Sequence, residues 1–172
     1  FSKRYGITLN LHSFPTRRSS DLETALSALI NAGSFVDQVK YPYAAMSYYN
    51  ALGGIYFFSG KPCLALRQFR TTSKVAFKLG NIQYMVNSAY NISDIQRELG
   101  EKKKAKSGFV RIIRNYAPSI DRSFLLKIAS DLLDLVEEDL ESHRIIKLLR
   151  KTAISLQSPL LFEDLISRHG AV

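Results

Sequence analysis

Shifting the chain against itself by 40 residues brings like residues into register. Gly60 falls on Gly100, Ala65 on Ala105 and Phe69 on Phe109, while Leu52 falls on Ile92 and Ile55 on Ile95. The same shift backwards places Ala65 on Ala25, Leu66 on Leu26 and Phe69 on Leu29. Forwards, Ile92 lands on Leu132, Ala105 on Ile145 and Phe109 on Leu149. A fixed period of this length constrains the fold more than any other feature. Each copy is one supersecondary unit too small to bury its own apolar face, so neighbouring copies must stack. The loss of the small residue at Ile145 is what a terminal, capping copy shows.

The punctuation inside each copy reads as a helical hairpin. Gly60-Lys61-Pro62 is a helix stop followed by a helix start. The first full copy therefore predicts helix A over 42–58 and helix B over 62–79. The second predicts A over 82–99 and B over 102–116, and the third predicts A over 120–136 and B over 140–156. Ser158-Pro159 supplies an N-cap and a first-turn proline for a last helix over 158–169. Ala65 marks the A–B crossing, where little more than a Cβ fits, and Phe69 fills the hole one turn on.

The first complete unit reads Tyr49-x2-Leu52-Gly53-x2-Tyr56, then Gly60, then Ala65-x3-Phe69. This spacing resembles the tetratricopeptide repeat, with Tyr49 where that pattern carries tryptophan. The second copy keeps Gly100, Ala105 and Phe109 but has Ser93 and Gln96 at the glycine and tyrosine positions. The period exceeds the usual 34 residues, and the proline that ends helix B is missing. The chain thus looks like the long variant found in bacterial transcription activators and sensor regions. The resemblance covers residues 23–155. It implies an all-α, right-handed helical-hairpin repeat solenoid of about 7–8 helices: a partial repeat over 23–40, then repeats over 42–80, 82–118 and 120–156.

The resemblance also implies a concave groove lined by the A helices. The matching positions are Ser47, Asn50, Gly54 and Phe57 in the first unit. In the second they are Asn87, Tyr90, Asp94 and Arg97, and in the third Lys127, Ser130, Asp134 and Glu137. An exposed Phe57 or Tyr90 would anchor a ligand, since aromatics dominate binding hot spots. The alternative is that both rings pack against neighbouring helices. The paired Lys/Asn pattern of chaperone-tail clamps is missing, so that subfunction is not expected.

Residues 1–22 stand apart. Leu11 to Leu22 (LHSFPTRRSSDL) resembles one reading frame of a common short-read sequencing adapter across all twelve residues. Residues 1–22 are therefore expected to be an extension outside the fold, and the repeat domain to span 23–172. The chain carries 24 Lys+Arg against 15 Asp+Glu, net +9. Residues 1–22 hold +3 of this, from Lys3, Arg4, Arg17 and Arg18 against Asp21. The remaining +6 is matched by Lys102, Lys103, Lys104, Lys106, Arg111 and Arg114 alone. Basic character is local, at the start of the second B helix. That run could hold phosphates, an acidic lipid surface or an acidic protein. A solvated helix start is the plainer account, although lysines there oppose the helix dipole.

Other chemistries find little footing. The single cysteine, Cys63, excludes a disulfide framework and makes a cytoplasmic location the default. It sits at a predicted helix start, but His143 and His169 show no triad spacing. The Glu137-Glu138-Asp139-x-Glu141 run lacks the loop spacing of a calcium site. Asp139 and His143 lie at i, i+4 with no third metal ligand in view. Tyr41 to Gly60 is 20 residues without a charge. Pro42, Gly53-Gly54 and five tyrosines fit a helix buried inside a solenoid better than a membrane span. No enzyme activity and no cofactor is expected.

The expected function is a protein-protein interaction module that takes a peptide or protein in its concave groove. The alternative is the sensor or regulatory region of a larger bacterial signalling or transcription-regulating protein. A nucleic-acid-binding solenoid using the lysine run ranks behind both.

Overall fold

The computed structural model describes residues 19–33, 36–37, 40–136 and 139–169. Among them are eight α-helices and no strand. In order they are α1 (Ser19–Gly33), α2 (Pro42–Phe58), α3 (Pro62–Lys78), α4 (Ile82–Glu98), α5 (Lys102–Tyr116), α6 (Arg122–Leu133), α7 (Asp139–Ser155) and α8 (Glu163–Arg168). The chain divides into two compact units, residues 1–95 and 96–172. The expected all-α helical-repeat fold is what is found, with successive helices packed as hairpins.

The helices end where the backbone turns left-handed. Gly60, Gly80 and Gly100 have φ of +69°, +63° and +75°. In each case the following amide reaches back five residues: Lys61 N–H to the Tyr56 carbonyl, Asn81 to Ala76 and Glu101 to Gln96, at 2.8–2.9 Å. The glycine N–H closes a second bond three residues back, to Phe57, Phe77 or Arg97. This is the Schellman closure, which needs a residue free to adopt positive φ. Its 20-residue recurrence sets the length of each helix with its turn, half of the 40-residue hairpin. Pro62 and Pro42 then occupy helix starts, where a missing N–H costs nothing.

In the first unit, α2 lies against α3 and α1 against α2. Gly53 lets this happen: a Cβ there would stand 3.0 Å from the Phe69 ring. Ala65, Leu66 and Phe69 of α3 form one buried cluster with Ile95 of α4, flanked by Tyr56, Phe57, Phe58 and Ile92. Met46, Val75 and Ala76 form a second, flanked by Leu79, Tyr84 and Met85. In the second unit α5 packs on α6 and α7, and α6 also meets α7 and α8. The repeat is visible in burial: Phe69, Phe109 and Leu149, spaced by 40, all have zero exposure.

Three expected boundaries move. The helix expected over 120–136 is α6, 12 residues long. Pro118 sits in a 3-10 turn over Ala117–Ser119, and Asp121 caps α6 by accepting from the Phe124 N–H at 3.0 Å. The last helix does not start at Ser158 but at Glu163. Ser158 and Leu161 are joined in a turn that buries Leu161 and Phe162, and burial of that pair takes precedence over the Ser-Pro start. Finally, α1 begins at Ser19, four residues inside the stretch expected to lie outside the fold. Ser19, Ser20 and Asp21 are the residue types that favour a helix start. The remainder of the adapter-like segment, residues 1–18, lies outside the described residues.

Candidate functional site

The A helices of the first unit hold most of their expected groove residues inside. Asn50, Asn87, Tyr90 and Asp94 are all buried, Tyr90 and Asp94 completely. Tyr90 is therefore core, and the exposed-anchor expectation for it is corrected. The cause lies in α4, where Val86 to Ser88 and Tyr90 to Gln96, apart from Ile92, are buried. A helix covered around most of its circumference leaves little beyond its ends open to a ligand. Phe57 is half-buried, stacked edge-on with Phe58 at 5.5 Å and packed on the Ala65–Phe69 cluster, so it too serves packing. Ser47 is exposed and its hydroxyl lies 3.1 Å from the Tyr84 hydroxyl. Gly54 is buried, yet a Cβ there would meet nothing within 4 Å. The Asn50 Oδ1 and both polar atoms of the Asn91 amide are buried with no hydrogen-bond partner in the protein.

The second unit is different, because its expected groove residues converge. Arg97, in the last turn of α4, places Nη1 3.2 Å from Asp131 Oδ1. Lys127 of α6 places Nζ 3.2 Å from Oδ2 of the same carboxylate. The Asp131 side chain is 9% exposed, whereas those of Arg97 and Lys127 are 25% and 32% exposed. A nearly buried carboxylate thus fixes two cations whose outer edges remain in water. Asp131 thus brings a cation of α4 and a cation of α6 together. Ser130 is half-buried on the same helix and Asp134 is exposed at its end. Glu137 lies outside the described residues.

Asp131, the centre of this arrangement, was not among the residues expected to bind. Its signal was legible: Lys127-x3-Asp131 is an i, i+4 ion pair on one helix face. Its 40-residue equivalents Ala51 and Asn91 are uncharged, so the repeat gave no reason to single it out.

Asp134 has another role. Its carboxylate lies 2.8 Å from His169 Nε2, and the Leu165 carbonyl lies 2.8 Å from His169 Nδ1. Two acceptors flank the two ring nitrogens, an arrangement that both nitrogens can satisfy only as donors, in the imidazolium. The Asp134 carboxylate first, then the Leu165 carbonyl, hold the His169 imidazole above its ordinary value. Beside this, Arg150 of α7 grips Glu163 of α8 with two bonds, at 3.0 and 3.1 Å.

The lysine run opens α5. Lys102, Lys103 and Lys104 are exposed and Lys106 half-buried. Lys104 pairs with Glu101 at 2.7 Å, and Lys106 pairs with Glu141 of α7. These residues line an open cleft between α5 and α7. Of the acidic run at the start of α7, residues 137 and 138 lie outside the described residues. Among the described residues no group of three or more His, Cys, Asp or Glu could hold a metal ion. Cys63 is exposed and unbridged. Among the described residues, no helix is long and apolar enough to cross a membrane. Comparison with protein-family models, curated proteins and solved structures finds no match for this chain.

Proposed function

We propose that the chain is a protein-interaction module built from tetratricopeptide-like hairpins, and that it docks a peptide on the A-helix face of its second unit. The observation that carries this reading is the convergence of Arg97 and Lys127 on Asp131. Both cations stand at positions that the repeat pattern assigns to a ligand groove. Each is pre-set by a carboxylate it cannot easily leave, so little side-chain freedom is lost when a ligand arrives. Their exposed edges suit a peptide carboxylate, which accepts charge-assisted bonds from both. The buried Asp131 offsets the repulsion between the two cations and sets their separation.

Selection of peptides from a displayed random library on the intact chain tests this. The enriched peptides should carry a carboxylate, and Arg97→Glu with Lys127→Glu should weaken them by at least about tenfold. Equal binding to the double variant would refute the site. Lys78→Glu with Lys61→Glu, on exposed positions of the other unit, is the control for net charge.

A further inference from the structure

We infer that the open cleft between α5 and α7 is a second docking site, for an acidic, partly apolar peptide segment. The inference does not depend on the A-face reading, because it uses other residues on other helices. The cleft has a volume of about 960 Å³, the upper end of what small-ligand sites span and room for a short stretch of extended chain. Its rim carries Lys102, Lys103, Lys104, Lys106 and Arg144, against the carboxylates of Glu101 and Glu141. The carboxylates are each engaged by a lysine of the same rim. Glu101 and Glu141 answer Lys104 and Lys106, which leaves Lys103 and Arg144 as an excess of two cations with no acidic partner among the described residues.

Folding alone gives no account of that excess. The first turn of α5 holds three consecutive lysines and no acidic residue, and no side chain caps it. Positive charge there works against the helix dipole, and neighbouring lysines repel one another. An anionic ligand in the cleft relieves both terms at once. Arg144 approaches from α7, so the charge is presented from two helices rather than from one helix end.

The rest of the lining decides the class of anion. Val110 and the nearly buried Ile145 give the cleft an apolar element. Among the described residues no aromatic ring lines it, so they offer no platform on which nucleic-acid bases could stack. The Glu101 and Glu141 carboxylates can accept N–H bonds from a peptide backbone, a donor that nucleic-acid phosphates lack. Carboxylates on the lysine rim and aliphatic side chains on Val110 and Ile145 complete the match.

The test uses the intact chain and three fluorescently labelled probes: a short peptide alternating Glu with Leu, its Lys-for-Glu counterpart, and a short single-stranded DNA. Only the acidic peptide should bind, with affinity that falls as salt is raised. Lys103→Glu with Arg144→Glu should weaken it by about tenfold or more, whereas the charge control Lys61→Glu with Lys78→Glu, exposed on the other unit, should leave it within about twofold. Backbone amide shifts of the unaltered chain provide a readout that no folding defect can confuse. With the acidic peptide they should move along 101–110 and 141–145. Binding of the DNA in preference to the peptide, shifts confined to 97 and 127–134, or indifference to the Lys103/Arg144 pair would each overturn the inference. Shifts confined to 97 and 127–134 would leave the A-face reading standing while removing this one.

Discussion

Two adjacent glycines, Gly53 and Gly54, separate the effects of space and backbone freedom. Both lie inside α2, where glycine costs about 0.5–1 kcal/mol relative to alanine. At Gly54 an added methyl meets nothing, so Gly54→Ala should raise stability by about 0.5–1 kcal/mol. At Gly53 the methyl meets three atoms of the Phe69 ring at 3.0–3.1 Å. Phe69 is completely buried and cannot swing away. Overpacking of about 1–3 kcal/mol then outweighs the propensity gain, so Gly53→Ala should be destabilising by about 1 kcal/mol. Urea denaturation of the two variants checks both signs. Equal stabilisation by both would show that α2 and α3 do not approach at this point. The buried Asn91 amide offers a third residue-scale test. Its polar atoms find no protein partner, so Asn91→Leu should be neutral or stabilising by up to about 1 kcal/mol.

Among the helices, those whose ends carry a backbone constraint were legible in the sequence. Pro62 and Gly60 bracket one turn, and α2, α3 and α5 begin and end within a residue of expectation. Gly80 repeats the same closure, and a 40-residue period hides this 20-residue half-period in the sequence. The ends that differ from expectation belong to α6, where the Pro118 turn and the Asp121 cap set the start, and to α8, where packing overrides local preference. Ser158-Pro159 is a sound helix start, yet Leu161 and Phe162 gain more from burial than the extra turn would supply. The same turn holds Gln157 at φ +54°, with Ser158 N–H bonded to the Ala153 carbonyl at 2.9 Å. It is the Schellman closure made without glycine. A left-handed non-glycine residue costs about 1–2 kcal/mol. A glycine there loses about 0.4–1 kcal/mol through the freer unfolded chain. Gln157→Gly should therefore gain roughly 0.5 kcal/mol or more. An unchanged or lowered denaturation midpoint would contradict the strain. The groove residues were misjudged for a related reason. The repeat pattern fixes which residues share a helix face, but not how much of that face neighbouring helices cover, and α4 is covered almost throughout.

Across the whole molecule, the proposed function rests on which polar groups are held at the surface and by what. In the second unit α8 is fastened by the Arg150–Glu163 fork and by His169 between Asp134 and Leu165. The His169 imidazole is raised above its ordinary value in the folded chain. A raised folded value means the charged form is favoured by folding. Its contribution is therefore fully present below the unfolded value of about 6.5 and is lost as pH rises through the folded value. The denaturation midpoint of the wild type should exceed that of His169→Gln at about pH 5.5, and the gap should close by about pH 8.5. A gap that widens with pH would show that His169 acts as a neutral ring.

The central claim is that a buried carboxylate, Asp131, sets two cations at the surface to receive a peptide. Amide hydrogen exchange of the chain, with and without a peptide selected on it, tests that claim most directly. Protection should rise over 95–98 and 126–134, the turn that carries Arg97 and the length of α6 around Asp131, and it should vanish in the Arg97→Glu, Lys127→Glu variant. Protection confined to other helices, or retained by that variant, would contradict it.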